Sequence, residues 1–103
     1  MSQAEKVLHS LYAAVDEVNR LLPDQQQVEK STTAILFGKT GRLDSLGLVN
    51  FILAVEEQIE HDFGVAITIA DERAMSQKSS PFRSIGALQV YIGELLQEIV
   101  HDS

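Results

Sequence analysis

The chain has 103 residues, of which 45% are hydrophobic, and it carries a formal net charge of −7 with no cysteine. A chain of this length can bury one core, so we expect residues 1–103 to form a single domain. The lack of cysteine excludes a disulfide framework and a thiolate zinc site. The excess of acids excludes the basic face that a nucleic-acid-binding protein needs.

The sequence gives no sign of a membrane span or a targeting segment. The longest uninterrupted apolar run, Phe51–Val55, is far too short to cross a bilayer. The first residues, Met1–Glu5, lack the cationic and apolar regions of a signal peptide. We therefore expect a soluble, cytoplasmic protein that does not insert into membranes.

Helical periodicity opens the chain between Ala4 and Leu22. Apolar residues recur there at spacings of three and four, which predicts one stripe of an amphipathic helix that ends before Pro23. The stripe consists of Val7, Leu8, Leu11, Tyr12, Val15, Val18 and Leu22. The next stretch, 24–43, contains two glycines that break periodicity, and we expect a long loop held by apolar anchors.

The second helical pattern runs from Leu46 to Glu60, and Asp44 and Ser45 are capping candidates at its start. Its residues divide between two faces when they are placed at intervals of 100°. The face predicted to turn toward the core carries Phe51, Ile52, Val55 and Ile59, and the flank carries Leu46, Val49 and Leu53 beside Glu56, Glu57 and Glu60. The flank fits a protein-docking surface and two-sided burial equally well.

The segment "VAITIADERAM", 65–75, predicts either a short strand or a brief helix over Ala70–Met75, and its pattern does not separate the two. Ser84 is a capping candidate for a last helix. The apolar stripe of that helix consists of Ile85, Leu88, Tyr91, Ile92, Leu95, Leu96 and Ile99. The predicted fold is all-α: a small antiparallel bundle of three long helices and one short helix, with the long loop between the first and second.

The stretch "LFGKTGRLDSLGLVNFILAVEEQIEHDFGVAI" resembles the core of an acyl carrier protein, and "SIGALQVYI" resembles the last helix of that family. With the first helix, the resemblance covers nearly the whole chain. In this family the serine of an Asp-Ser-Leu motif carries 4′-phosphopantetheine. The resemblance therefore implies that Ser45 is the attachment site of this covalent cofactor, and that Asp44 takes part in recognition by the phosphopantetheinyl transferase.

The same resemblance implies how the carrier would meet its partners. The apolar contact positions would be Leu46, Val49 and Leu53, and the acidic ones Glu56, Glu57 and Glu60, facing enzymes with basic docking patches. The acyl chain would lie among Phe51, Ile52, Val55, Ile67 and Ile85. The protein would be a monomeric carrier on which other enzymes act, and it would not itself be an enzyme.

Two features depart from the carriers of fatty acid synthesis. Where those carriers commonly have carboxylates, at the second and fifth positions after the serine, this chain has Gly47 and Asn50. Extra residues also occur near "IEHD" and in "QKSSPFR", before the last helix. These departures suggest a specialised carrier that serves a dedicated biosynthetic pathway.

Other chemistries have little support in the sequence. The three histidines, His9, His61 and His101, lie on separate segments, so we expect neither a metal site nor a catalytic dyad. Lys39 in "GKTG" lacks the upstream glycine of a phosphate-binding loop. The alternative to a carrier is an unmodified helical interaction module with the same fold. The two hypotheses differ in whether Ser45 carries the arm. The sequence does not indicate which acyl or aminoacyl group the carrier would hold.

Overall fold

The computed structural model describes residues 2–24, 27–36, 43, 45–69 and 83–101. Three α-helices form within these ranges: α1 is Gln3–Asn19, α2 is Ser45–Phe63 and α3 is Ile85–His101. These ranges contain no β-strand, although Ile35 and Ser84 form an isolated antiparallel bridge. The regular secondary structure of the described residues is therefore entirely α-helical, as the predicted all-α class requires. The short helix predicted over Ala70–Met75 lies outside the described residues.

Helix α1 is fixed at both ends by side chains. The Oγ of Ser2 accepts a hydrogen bond of 3.2 Å from the backbone N–H of Glu5, which satisfies one of the helix's unpaired donors. At the other end, the Asn19 side chain donates to the Val28 carbonyl oxygen at 3.0 Å and accepts from the Val28 N–H at 2.9 Å. The helix therefore ends three residues before Leu22, where the apolar pattern had predicted its end.

Helix α1 packs against both other helices. It runs antiparallel to α2, because Lys6 near its start stacks over the ring of Phe63 at the end of α2, 4.6 Å from the ring centroid. Against α3, the Gln89 side-chain amide donates to the Ala4 carbonyl oxygen at 2.8 Å. All three predicted apolar stripes contribute to one core, which includes Val7, Leu11, Val15, Phe51, Val55, Ile59, Ile85, Leu88 and Ile92. Ile99, predicted in the α3 stripe, is instead 36% exposed.

A polar contact joins α1 to α2 beside this core. The fully buried hydroxyl of Ser10 donates a hydrogen bond of 2.5 Å to the carboxylate of Asp62. The side-chain amide of Gln58 donates to the same carboxylate oxygen at 3.1 Å. The hydrogen bond from Ser10 lowers the pKa of Asp62 most; partial burial opposes this, and Gln58, His61 and His9 lower it further.

The start of α3 is held by the segment 31–36. The backbone N–H of Ile85 donates to Ala34 at 3.2 Å, and that of Gly86 donates to Thr32 at 2.9 Å. The Ser84 hydroxyl accepts from the Ala87 N–H at 3.1 Å, which confirms the predicted cap. These contacts pair donors that a helix start leaves without intrahelical partners. The connection between α1 and α2 is thus tied to α3 through its described residues; residues 25–26, 37–42 and 44 of the predicted loop lie outside them.

Candidate functional site

Ser45 is the first residue of α2. Leu43, two residues earlier, is buried, and its N–H donates to the carbonyl oxygen of the buried Leu36 at 3.1 Å. This contact anchors Leu43 against the segment that follows α1. The dipole of α2 would favour an anionic group attached at its first residue, and the first turn of the helix contains no acid. Asp44 and the side chain of Ser45 lie outside the described residues.

Two leucine side chains and one valine side chain of α2 are exposed to solvent. The exposed fractions are 70% for Leu46 and 53% each for Val49 and Leu53. We call these three residues the apolar strip. On the opposite face, the predicted core residues Phe51, Ile52, Val55 and Ile59 are all buried. Of the two interpretations that the sequence allowed, two-sided burial is therefore wrong, and the strip is open to a partner.

The three glutamates predicted beside the strip have different surroundings. Glu57 and Glu60 are exposed. Glu56 is half-buried, and its carboxylate accepts a hydrogen bond of 2.7 Å from the backbone N–H of Ile69. The exposed negative charge next to the strip therefore comes from Glu57 and Glu60, while Glu56 also holds the chain that follows α2. The role of all three in partner binding stays a prediction.

The residues predicted to surround an acyl chain come together in one cluster. Phe51, Ile52, Val55 and Ile85 are buried in the core, and Ile67 packs against it from the segment after α2. A cluster of this kind is what any helical bundle core contains, so its role as an acyl pocket stays a prediction.

Leu21 is an exposed residue that the sequence reasoning passed over. Its side chain is 80% exposed, just beyond the end of α1. The pattern assigned Leu22 to the apolar stripe and left Leu21 off it. The signal that could have identified Leu21 is a large apolar residue outside the stripe, immediately before the helix-ending Pro23.

The potential metal ligands and titratable histidines can be located only where the structure describes them. Within the described residues, no three histidine, aspartate or glutamate side chains cluster as metal ligands. His9 and His61 are exposed near Asp62, and both lower its pKa. Lys39 and the side chain of His101 lie outside the described part of the chain. The helices that are described include none long and apolar enough to cross a bilayer.

Comparison of the chain with protein-family models, with curated proteins and with solved structures finds no match.

Proposed function

We propose that the protein is an acyl carrier protein in which Ser45 bears a 4′-phosphopantetheine arm. When attached, the arm supplies the thiol that this cysteine-free chain lacks, and an acyl or related group is held there as a thioester. Enzymes of a dedicated biosynthetic pathway act on the cargo, and the chain itself presents it to them.

The observation that carries this proposal is the position of Ser45 beside an exposed strip. Ser45 begins α2, and the apolar strip occupies the same helix over the next eight residues. A serine used only as a helix cap gives no reason for this helix to expose 70% of Leu46 and 53% of Leu53. A carrier needs such a surface, because each partner enzyme must find the arm by binding the protein around it.

The residues near Ser45 fit an attached phosphodiester. The backbone N–H groups at the start of α2 favour its negative charge, and Gly47, in the first turn, adds no side chain near the serine. The exposed Glu57 and Glu60 lie three to four turns further along the helix, beyond the strip. Partner enzymes would contact the strip with apolar side chains and the glutamates with lysine or arginine.

The test is covalent loading. The protein is incubated with coenzyme A, magnesium and a broad-specificity phosphopantetheinyl transferase, and its intact mass is measured. We expect the gain of one arm in the parent and no gain in Ser45→Ala. A protein that gains no mass with several transferases, or a Ser45→Ala variant that still gains it, contradicts the proposal. The absence of any mass gain in the parent would favour an unmodified interaction module.

A further inference from the structure

A groove lies between the C-terminal end of α1 and the middle of α2, with a volume of about 250 Å³. Its lining consists of Glu17, Val18 and Leu21 on one side and Asn50, Leu53, Ala54 and Glu57 on the other. The volume is below the roughly 300–1,000 Å³ of sites that enclose small organic ligands. It suits the side chains of a protein partner better than an enclosed small molecule.

Four of the described residues that line the groove are apolar. Val18 and Ala54 are buried, while Leu21 and Leu53 are 80% and 53% exposed. One exposed leucine is ordinary on a protein surface, but two that line the same groove form a patch whose burial would favour binding.

The charged residues that line the groove have one sign. Glu17 and Glu57 are both exposed, one on each helix, and no basic residue within the described ranges is part of the lining. Arg20 is exposed near the end of α1 but is not part of the lining, and Lys30 is paired with Asp16 at 2.8 Å. The complementary partner therefore carries apolar side chains flanked by lysine or arginine.

The groove is continuous with the apolar strip, because Leu53 belongs to both. Leu53 follows Ser45 by eight residues, which is about 12 Å along an α-helix. A partner seated in the groove would thus lie close to the site where the arm is attached. The lining comes from two antiparallel helices and combines apolar with acidic side chains, which matches an amphipathic helix with basic residues beside its apolar face.

We propose that this groove binds a basic amphipathic helix of a partner protein, with apolar side chains against Leu21 and Leu53 and cationic ones near Glu17 and Glu57. The identity of the partner as an enzyme that acts on the arm rests on the proposed carrier function. The binding itself requires no arm. The proposal extends the docking surface from α2 onto α1, to Leu21 and Glu17.

The test uses the unmodified full chain and a synthetic helical peptide with leucines on one face and lysines along both edges. Binding is followed by methyl NMR and by the peptide's Kd. We expect shifts at Val18, Leu21 and Leu53, and an approximately tenfold weaker Kd in Leu21→Ser, about the effect of removing one partly buried leucine contact. The matched control is Val90→Ser on α3, where the side chain is 63% exposed, and its Kd should equal that of the parent.

Charge and specificity are tested in the same assay. A peptide with glutamine in place of lysine should bind more weakly, and Glu17→Gln with Glu57→Gln should reduce the salt dependence of binding. Equal Kd values for the parent and Leu21→Ser, or shifts centred on Val90, would overturn the proposal. So would a parent chain that self-associates in sedimentation through a contact that Leu21→Ser abolishes, because the groove would then bind a second copy.

The proposed carrier function and the proposed binding in the groove can be tested independently. Ser45→Ala should bind the peptide with the parent's Kd. If the parent binds the peptide in a Leu21-dependent way but is not loaded by transferases, the carrier function is contradicted and the proposed binding in the groove is supported. If the parent is loaded but Leu21→Ser binds the peptide with the parent's Kd, the proposed binding in the groove is contradicted and the carrier function is supported.

Discussion

The carboxylate of Glu56 accepts a hydrogen bond of 2.7 Å from the backbone N–H of Ile69, thirteen residues away. Ile69 is fully buried, so this contact fastens the segment after α2 to the helix at the point where it enters the core. The adjacent Glu57 is exposed. Two neighbouring glutamates on one helix therefore differ in their surroundings, one holding the fold and the other facing solvent.

Glu56→Ala should lower the free energy of unfolding by about 1–3 kcal/mol, because a buried backbone donor loses a charged acceptor. Glu56→Gln keeps an acceptor oxygen and should cost less. The matched control, Glu57→Ala, should change stability by less than about 0.5 kcal/mol. Urea unfolding of the three variants measures these differences. Equal losses in Glu56→Ala and Glu57→Ala would mean that the contact with Ile69 contributes nothing.

The Ser10–Asp62 contact predicts a stability that depends on pH. Because the folded protein lowers the pKa of Asp62, the unfolded chain binds the proton more readily. The stabilisation is complete well above the unfolded pKa of about 3.9 and is lost as pH falls through the lower folded value.

Ser10→Ala removes the main cause of that shift and should destabilise the protein by about 1 kcal/mol at neutral pH. The difference between parent and variant should shrink as pH falls from about 5 toward 3. Urea unfolding across this range measures it, with Asp62→Asn as the variant that lacks the titrating group. A difference that stays constant with pH would show that Ser10 acts only through packing.

The helices and their buried faces could be predicted because both depend on local spacing. Residues such as Phe51, Val55 and Ile59 repeat with the helical period, and the side that repeats is the side that is buried. The exposure of Leu46 could not be predicted, since a wide apolar arc is equally compatible with burial against a further element. That question depends on what packs beside α2, which no local pattern contains.

Contacts between distant elements were also beyond the sequence pattern. Ser10 reads as one more polar residue of an amphipathic helix, and its pairing with Asp62 depends on how α1 and α2 align. The groove beside Leu21 depends on the end of α1 at Asn19, which is fixed by a contact with Val28 in the following segment. Residues of this kind are found only when the helices are placed together.

Two glycines in α3 should respond oppositely to alanine. A Cβ at Gly86 would lie 2.9 Å from the backbone oxygen of Thr32, so Gly86→Ala must displace the segment that holds the start of α3. A Cβ at Gly93 would meet nothing within 4 Å, so Gly93→Ala should stabilise the protein by up to about 1 kcal/mol through helix propensity. Thermal or urea unfolding compares the two. A stabilising Gly86→Ala would contradict the close approach to Thr32.

The exposed acids beside the apolar strip should govern the rate of association with partners. Glu57→Lys with Glu60→Lys should slow transferase modification of Ser45 at low salt and weaken its salt dependence, with the helical circular dichroism signal unchanged. The matched control reverses the same amount of charge elsewhere, with Glu29→Lys and Glu94→Lys, both exposed. Equal slowing in both double variants would mean that only net charge matters, and no slowing would mean that this acidic face only interacts with solvent.

Asn50 is exposed on α2 between Val49 and Leu53. The resemblance to carriers of fatty acid synthesis implies a carboxylate here and another at position 47. Their absence leaves the half of α2 nearest Ser45 without negative charge. An enzyme with basic residues that contact this half should therefore bind poorly, and we expect the loaded protein to be a weak substrate of general fatty-acid elongation enzymes.

Asn50→Glu should raise the elongation rate about two- to fivefold, the effect of one exposed ion pair, and more at low salt. It is a cleaner change than Gly47→Asp, because Gly47 is buried and a side chain there would perturb the first turn of α2. Gln97→Glu is the control, since it adds the same charge to an exposed position on α3. Full elongation activity in the parent, or an equal gain from Gln97→Glu, would show that the uncharged start of α2 does not select the pathway.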